Sequence, residues 1–302
     1  MSAIILAMAN RLLIVDATGL LFRAYYSISP LTAPDGTPVN AVYGLLRMML
    51  KLFRELQPHA SAFVFDAGKS TFRNELFVDY KAQRAEPPDD LKPQFALAIE
   101  TTQCAKVPVF VQPGYEADDI IATITSQAHD HEVEVSIFTS DKDILQLLDS
   151  SVEVVMPLRQ GKLAHHTAES LEAELGFPVA RYIDYKALRG DPSDNIPGVK
   201  GIGEKTAARL VRDYGKLEQL YANLDLVKPD RVRRQLQESQ QEVFLYRELV
   251  ALRHDVPISY DFAERTLPDF SSQAFQKRIT ELGFKRIGED AAEMGDLEAN
   301  RL

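Results

Sequence analysis

The sequence holds no tryptophan, one cysteine and six histidines in 302 residues. A single cysteine, Cys104, excludes an internal disulfide and any cysteine-cluster metal site. It follows two threonines and a glutamine on a mostly apolar segment and reads as inert packing. Zinc held by histidine is excluded on spacing. His129 and His131 stand two apart and His165 and His166 are adjacent, and neither pair has the separation that puts two ligands on one helix face. Long hydrophobic runs are also missing. The run Ala3–Met8 is too short to span a bilayer, and no Lys or Arg precedes it as in a signal peptide. A cytoplasmic protein with no membrane partner is expected. Cations are scarce as well, with 34 Lys and Arg against 44 Asp and Glu and a net charge of −10. Such a balance argues against a polyanionic partner only when the charge is spread evenly. Here the acids of a few short motifs account for nearly all of the excess.

What is present suits one large domain or two modest ones, with 45% hydrophobic and 26% charged residues. Up to about residue 165, apolar β-branched runs alternate with helical periods. Strands are expected at Leu12–Val15, Ala62–Phe65, Val107–Val111, Val133–Thr139 and Val152–Met156, with helices at Val39–Gln57, Lys92–Ala105 and Ala117–Ala128. Strand, helix, strand in repetition implies an α/β fold with a mostly parallel sheet covered by helices. Ligands then collect beyond the carboxyl ends of the strands. The stretch from Ala67 to Leu91 breaks the alternation: Lys69, Arg73, Lys81 and Arg84 are interleaved with Phe72, Phe77 and Tyr80 before Pro87–Pro88. It reads as one or two short helices standing off the sheet. From about Leu171 helices dominate, at Val179–Leu188, Glu204–Tyr214, Leu217–Ala222 and Arg231–Ala251, so residues 1–170 and 171–302 are expected as two units.

The acids carry the chemistry. Leu-Leu-Ile-Val-Asp ends at Asp16, Phe-Val-Phe-Asp ends at Asp66, and the fourth strand is followed by Asp141 and Asp143. A parallel sheet brings all these ends to one edge, where buried charge is costly unless paired. Gly114-Tyr-Glu-Ala-Asp-Asp adds Glu116, Asp118 and Asp119 at a helix start, and Gly190-Asp-Pro-Ser-Asp adds Asp191 and Asp194 in a turn. Taken singly these have ordinary explanations: acids compensate a helix dipole, Ser140 with Asp143 matches a capping box, and turn aspartates make local bonds. Their convergence is what such explanations leave out. Hard oxygen ligands without Cys or His select Mg²⁺ or Mn²⁺, and two such ions clamp an in-line phosphoryl displacement.

Two motifs are decoys. Gly198-Val-Lys-Gly-Ile-Gly-Glu-Lys-Thr lacks the Gly-Lys-Thr of a phosphate loop because Glu204 intervenes. Val15-Asp-Ala-Thr-Gly lacks the second aspartate of an aspartyl-phosphate phosphatase, having Thr18 in that place. The first reads better as a helix-hairpin-helix over about 179–214. Gly201 and Gly203 let backbone amides approach a phosphate, a helix start at Glu204 adds its positive end, and Lys200, Lys205, Arg209 and Arg212 add charge. Such contacts hold the nucleic-acid backbone and read no sequence.

Leu13-Ile-Val-Asp16, Phe22-Arg-Ala-Tyr, Ala41-Val-Tyr-Gly44, Val64-Phe-Asp66-Ala, Phe72-Arg73, Tyr80-Lys81, Gly114-to-Asp119, Asp141-Lys-Asp143, Gly190-to-Thr206 and Phe284-Lys-Arg run nearly end to end. In this set the chain resembles the 5′ nuclease domain of bacterial DNA polymerase I and, more distantly, flap endonucleases and phage 5′ exonucleases. The resemblance implies a PIN-like nuclease core with two metal clusters. Asp16, Asp66, Glu116 and Asp118 would form the first, with Asp119 as a further candidate; Asp141, Asp143, Asp191 and Asp194 would form the second. It implies that Arg23, Arg73 and Lys81 steer the scissile phosphate. Residues 69–91 would be a helical arch passing a 5′ single strand, with Tyr80 and Arg84 on the DNA. It further implies that the hairpin, through Lys200, Gly201, Gly203, Lys205, Thr206 and Arg209, grips duplex and holds K⁺ by carbonyls. The implied substrates are 5′ flaps, nicks and RNA-primed fragments of replication and repair. The stretch after Phe284 leaves no room for a polymerase domain, so the chain is expected to be either a stand-alone nuclease, with a DNA polymerase acting separately as a candidate partner, or an excised domain. Two other readings stand beside this one: a metal nuclease acting on RNA alone, and a scaffold that binds branched DNA without cutting.

Overall fold

The structure, a computed structural model, describes residues 10–68 and 71–299, with side chains to residue 294. Lys69 of the basic stretch and the run Ala3–Met8 lie outside the described residues. The chain opens with β1 (Arg11–Asp16), α1 (Ala17–Ser27), α2 (Asn40–Leu56), β2 (Ala60–Val64), α3 (Phe72–Leu76), α4 (Lys92–Cys104) and β3 (Val109–Phe110). It continues through α5 (Ala117–Asp130), β4 (Glu134–Phe138), β5 (Val152–Pro157) and β6 (Leu163–His166). The sheet order is β3-β2-β1-β4-β5-β6, parallel except for β6, which pairs antiparallel with β5. Strand order reverses about β1, which has β2 on one side and β4 on the other, so the crevice beyond β1 is the switch point of the sheet.

Both faces are buried because the central strands are nearly continuous apolar runs whose successive residues point to opposite sides. Leu12 and Ile14 join α5 on one face, and Leu13 and Val15 join α1, α2 and α4 on the other. Two elements escape a reading by periodicity. Helix α1 starts directly at the end of β1 with no turn signal, the Asp16 carboxylate accepting from Gly19 N at 2.8 Å as its cap. Strand β6 is only four residues long and partly exposed, so no apolar run marks it.

The helical part consists of α6 (Ala168–Leu175), α7 (Tyr182–Arg189), α8 (Glu204–Tyr214), α9 (Leu217–Ala222), α10 (Asp230–Glu238) and α11 (Gln240–Val250). The single helix expected over Arg231–Ala251 is broken at Ser239. The apolar positions Val232, Leu236, Val243, Tyr246 and Val250 stay in helical phase across that break, so periodicity cannot see it. The last helices, α12 (Gln273–Glu281) and α13 (Lys285–Ala299), differ from the expectation of one helical unit over 171–302. Phe275, Ile279, Phe284 and Ile287 pack on the α2 and α4 side of the sheet, with Phe284 edge-on to Tyr43 at 5.2 Å. The connection to them runs past α5 and β2, where Gln127 donates to Ile258 O and Thr266 bonds Ser61. The stretch 71–91 is also not a pair of helices standing off. It holds the five-residue α3 and then turns that lie down on the sheet edge, with Tyr80 4% exposed.

Candidate active site

Asp16 ends β1 at the switch point, with Thr139 Oγ1 donating to its Oδ2 at 2.8 Å. Asp66 follows β2, accepting from Ala117 N at 2.7 Å. Asp118, on the first turn of α5, is half-buried beside them. Among the described residues no Lys or Arg makes an ion pair with any of these three. Their carboxyls respond accordingly. Burial, and then Asp66 and Asp141, push Asp16 up to about 7. Burial and Glu116 raise Asp66, and burial with Asp141 and Asp16 raises Asp118 well above the carboxylate range.

Of the remaining acids, Glu116, Asp143, Asp191 and Asp194 meet cations, whereas Asp141 makes no ion pair among the described residues. Glu116 receives Lys81 Nζ at 2.8 Å and Tyr80 Oη at 3.0 Å. Asp194 receives Arg84 at 2.7 Å and the same Tyr80 hydroxyl at 3.0 Å. Asp143 and Asp191 are bridged by the ammonium of Lys186. Burial raises Asp143 to about 7 in spite of Lys186, with Asp141 adding to it. Burial pulls Asp191 the same way, but Lys186 and Ser193 outweigh it and hold Asp191 near 2. Backbone fit brings the Asp191 turn here. Gly190 and Gly198 have φ of +80° and +64°, and a Cβ on Gly198 would lie 2.3 Å from Gly190 N. The turn is stitched to the basic stretch by Lys81 N to Asp194 O at 3.0 Å and by Asn195 Nδ2 to Asp79 O at 2.7 Å. Lys81 itself sits at φ +54°, a conformation costly to a non-glycine residue.

Four of the expected residues are placed differently. Asp119 is fully buried and already accepts from Arg73 Nη1 at 2.7 Å, Arg73 Nη2 at 2.8 Å, Arg253 N at 2.9 Å and Glu116 N at 3.1 Å. No lone pair is left to ligate, so it is an anchor. Arg73 is 1% exposed, and its five N–H groups are spent on Asp119 twice, Glu116, Leu249 O and Ala251 O. In this structure none of its N–H groups is left for a phosphate. Tyr80 is buried with its hydroxyl on two acids, so its ring is closed to a base. Arg23 points away, donating to Leu158 O at 3.2 Å and lining a groove of about 450 Å³ with Arg47, Arg54 and Arg286. Lys200, Gly201, Gly203 and Lys205 are exposed on the turn leading into α8, with Thr206 and Arg209 half-buried beside them.

Lys186 was missed by motif reading. Its signal is positional: Tyr182, Tyr185 and Lys186 share the buried face of α7 at i, i+3 and i+4 spacing, and a lysine on such a face calls for an acid.

Residues 11–176 match the family described as 5′-3′ exonuclease, N-terminal resolvase-like domain, and residues 177–273 match 5′-3′ exonuclease, C-terminal SAM fold. The chain belongs to the 5′-3′ exonuclease family. A relative within reach of this assignment is the thermostable DNA polymerase I of Thermus thermophilus, 40% identical over 291 residues, which are 96% of this chain and 34% of that one. The chain thus spans about a third of the length of the curated relatives it matches. Solved structures show the same fold. The T5 5′-exonuclease with bound divalent metal ions (zinc) has a TM-score of 0.65 at 24% identity, covering 95% of this chain and 98% of its own. The catalytic core of Rad2 in complex with DNA substrate has a TM-score of 0.61 at 18% identity, covering 94% and 91%. Among the described residues of this 5′-3′ exonuclease-family chain, no helix is long and apolar enough to cross a membrane.

The donor set fits divalent cations in chemistry. Asp16, Asp66 and Asp118 are neighbouring hard oxygen donors that make no ion pair among the described residues, and an added positive charge would relieve their repulsion. No three His, Cys, Asp or Glu among the described residues stand in ready ligating geometry. In the second set that follows from where Lys186, Lys81 and Arg84 sit, since the chain's own cations occupy the space between the acids.

Proposed function

We propose that this chain is a Mg²⁺- or Mn²⁺-dependent structure-specific 5′ nuclease of the cytoplasm. It would hydrolyse phosphodiesters near 5′ ends, flaps and nicks of DNA, and in RNA primers, during replication and repair. The observation that carries the reading is the trio Asp16, Asp66 and Asp118 at the switch point of the sheet, none of which makes an ion pair among the described residues. With Glu116 they would hold one ion, and Asp141, Asp143, Asp191 and Asp194 a second. When bound, such ions make water nucleophilic near neutral pH and neutralise the departing oxygen.

The chain's own residues do the rest. Thr139 and Gly19 N fix the Asp16 carboxylate, so it cannot rotate away from the crevice. Lys81 and Arg84 ride on a turn, and Arg84 keeps 48% of its side chain exposed, so these two can face a phosphate at the edge of the site. The α7–hairpin–α8 segment presents Lys200, Gly201, Gly203, Lys205, Thr206 and Arg209 to a duplex backbone, with hairpin carbonyls for K⁺. A DNA polymerase acting on the same ends is the partner this activity calls for.

Cleavage of a labelled 5′-flap duplex, with Mg²⁺ and with EDTA, tests the reading, with single-stranded RNA in parallel. Native protein should cut the flap only with metal, and Asp16→Ala should abolish cutting while flap affinity stays within severalfold. Binding without any cutting by the native protein would make it a scaffold instead. Cutting confined to RNA would make it a ribonuclease.

A further inference from the structure

Lys186 stands inside the second carboxylate set with no part in the chemistry so far. Its side chain is 3% exposed, and its ammonium bridges Asp143 Oδ1 and Asp191 Oδ2. The other Asp191 oxygen is taken by Ser193 N at 2.9 Å. Lys81 and Arg84 reach their acids from an exposed turn, whereas Lys186 is anchored in mid-helix between Tyr185 and the fully buried Ala187. It has no exposed space to swing into. The first set contains nothing like it, since no ion pair reaches Asp16, Asp66 or Asp118 among the described residues.

A divalent ion entering the first set meets three acids with no ion pair among the described residues, and Glu116, whose Lys81 partner reaches it from an exposed turn. One entering the second must share the Asp143 and Asp191 oxygens with a fixed ammonium that repels it. Removing one buried partner of such a bridge leaves the acids demanding another cation. We propose that Lys186 is a resident counter-charge of the second carboxylate set, wedged between Asp143 and Asp191, which keeps that set's affinity for a divalent ion low until a phosphate brings negative charge of its own. The two ions then bind free protein unequally, and loading of the second is tied to substrate. This rests on the two-ion reading above. Lys186 is thereby a positioning residue that acts through the ligands it holds.

The test is Mn²⁺ binding to the full chain without nucleic acid, followed by calorimetry and by electron paramagnetic resonance of free Mn²⁺. The native chain should show one tight and one weak class. K186M should tighten the weak class by about tenfold or more and leave the tight class within about threefold, because only the second set loses its cation. K186R, which keeps the charge, should retain the native pattern, and Asp143→Asn should abolish the weak class. K186Q carries the same expectation as K186M and replaces it if K186M does not fold. A weak class that is unchanged or weaker in K186M would overturn the proposal, as would equal tightening in K186R. A purely structural lysine would lower the melting temperature of K186M without moving Mn²⁺ affinity. A native chain that binds no Mn²⁺ sinks the two-ion reading itself, a different result from two native classes that K186M leaves alone.

Discussion

Asp118 and Asp119 are neighbours on the first turn of α5 and have opposite surroundings. Asp119 turns inward onto Arg73, whose guanidinium also ties down Leu249 O and Ala251 O, so one buried pair joins α3, α5 and the end of α11. Asp118 faces the crevice beside Asp16 and Asp141 and meets no cation among the described residues. One acid has its charge answered by the fold, and the other leaves it for something added. The difference separates carboxylates that hold this molecule together from those that strain it, and it cannot be read from residue type or spacing.

Breaking the satisfied side should have the largest effect on stability. Arg73→Met leaves Asp119 buried and unpaired and frees two backbone carbonyls, which should destabilise the protein by about 3–5 kcal/mol. Urea unfolding followed by circular dichroism measures it. A loss under about 1 kcal/mol would mean that the pair is not the clamp described here.

Neutralising the unsatisfied side should do the reverse. Asp118→Asn removes a repelled charge, so in EDTA near pH 8 it should raise the melting temperature by roughly 2–4 °C, the shift expected of about 1 kcal/mol. Activity should be lost, and Mg²⁺ should stabilise the variant less than the native chain. Asp16 and Asp143 give this a pH signature. Their folded carboxyls are pushed to about 7, above the ordinary value of 3.8, so between those values the unfolded chain binds fewer protons than the folded one. Metal-free stability from these groups therefore falls as pH rises from about 4 to about 7 and is level above it. Asp191, held near 2, acts in the opposite sense, but only below about 4. Melts in EDTA should be higher near pH 5.5 than near pH 7.5, and the decline should flatten in Asp118→Asn. A lower melting temperature for Asp118→Asn would make Asp118 a helix cap like any other first-turn acid.

The smallest stability effect is expected in the hairpin. Gly203 has φ of −91°, and a Cβ there would meet nothing within 4 Å, so Gly203→Val should change stability by less than about 0.5 kcal/mol. Its new side chain would stand outward where a duplex backbone approaches. Flap affinity, measured by fluorescence anisotropy, should fall while the single-turnover rate at saturation holds. An unchanged affinity would remove Gly203 from the DNA surface.

Much of the site was legible because local rules act within short windows. An apolar run ending in Asp predicts a strand with an acid at its carboxyl end, and three such runs in a parallel sheet predict one acidic edge, as found at Asp16, Asp66 and Asp141. The glycines of Gly190–Gly203 announced a tight hairpin, and Gly190 and Gly198 do pass backbone against backbone. What stayed hidden depended on partners far along the chain. Arg73 reads as a basic residue in a basic stretch until Leu249 and Ala251, about 176 residues on, supply its acceptors. Tyr80 is expected on the DNA until the Asp191 turn brings Asp194 onto its hydroxyl, and the last two helices carry no local mark of the sheet face they cover.

The sequence by itself therefore determined the α/β alternation, the acidic edge and the hard-oxygen chemistry, since each follows from strand period, strand end and donor type. Only the tertiary structure decided which acids are spent. A carboxylate's charge is answered by whatever cation long-range packing places within about 4 Å, and here packing placed Arg73 on Asp119, Lys186 between Asp143 and Asp191, and, among the described residues, no ion pair on Asp118.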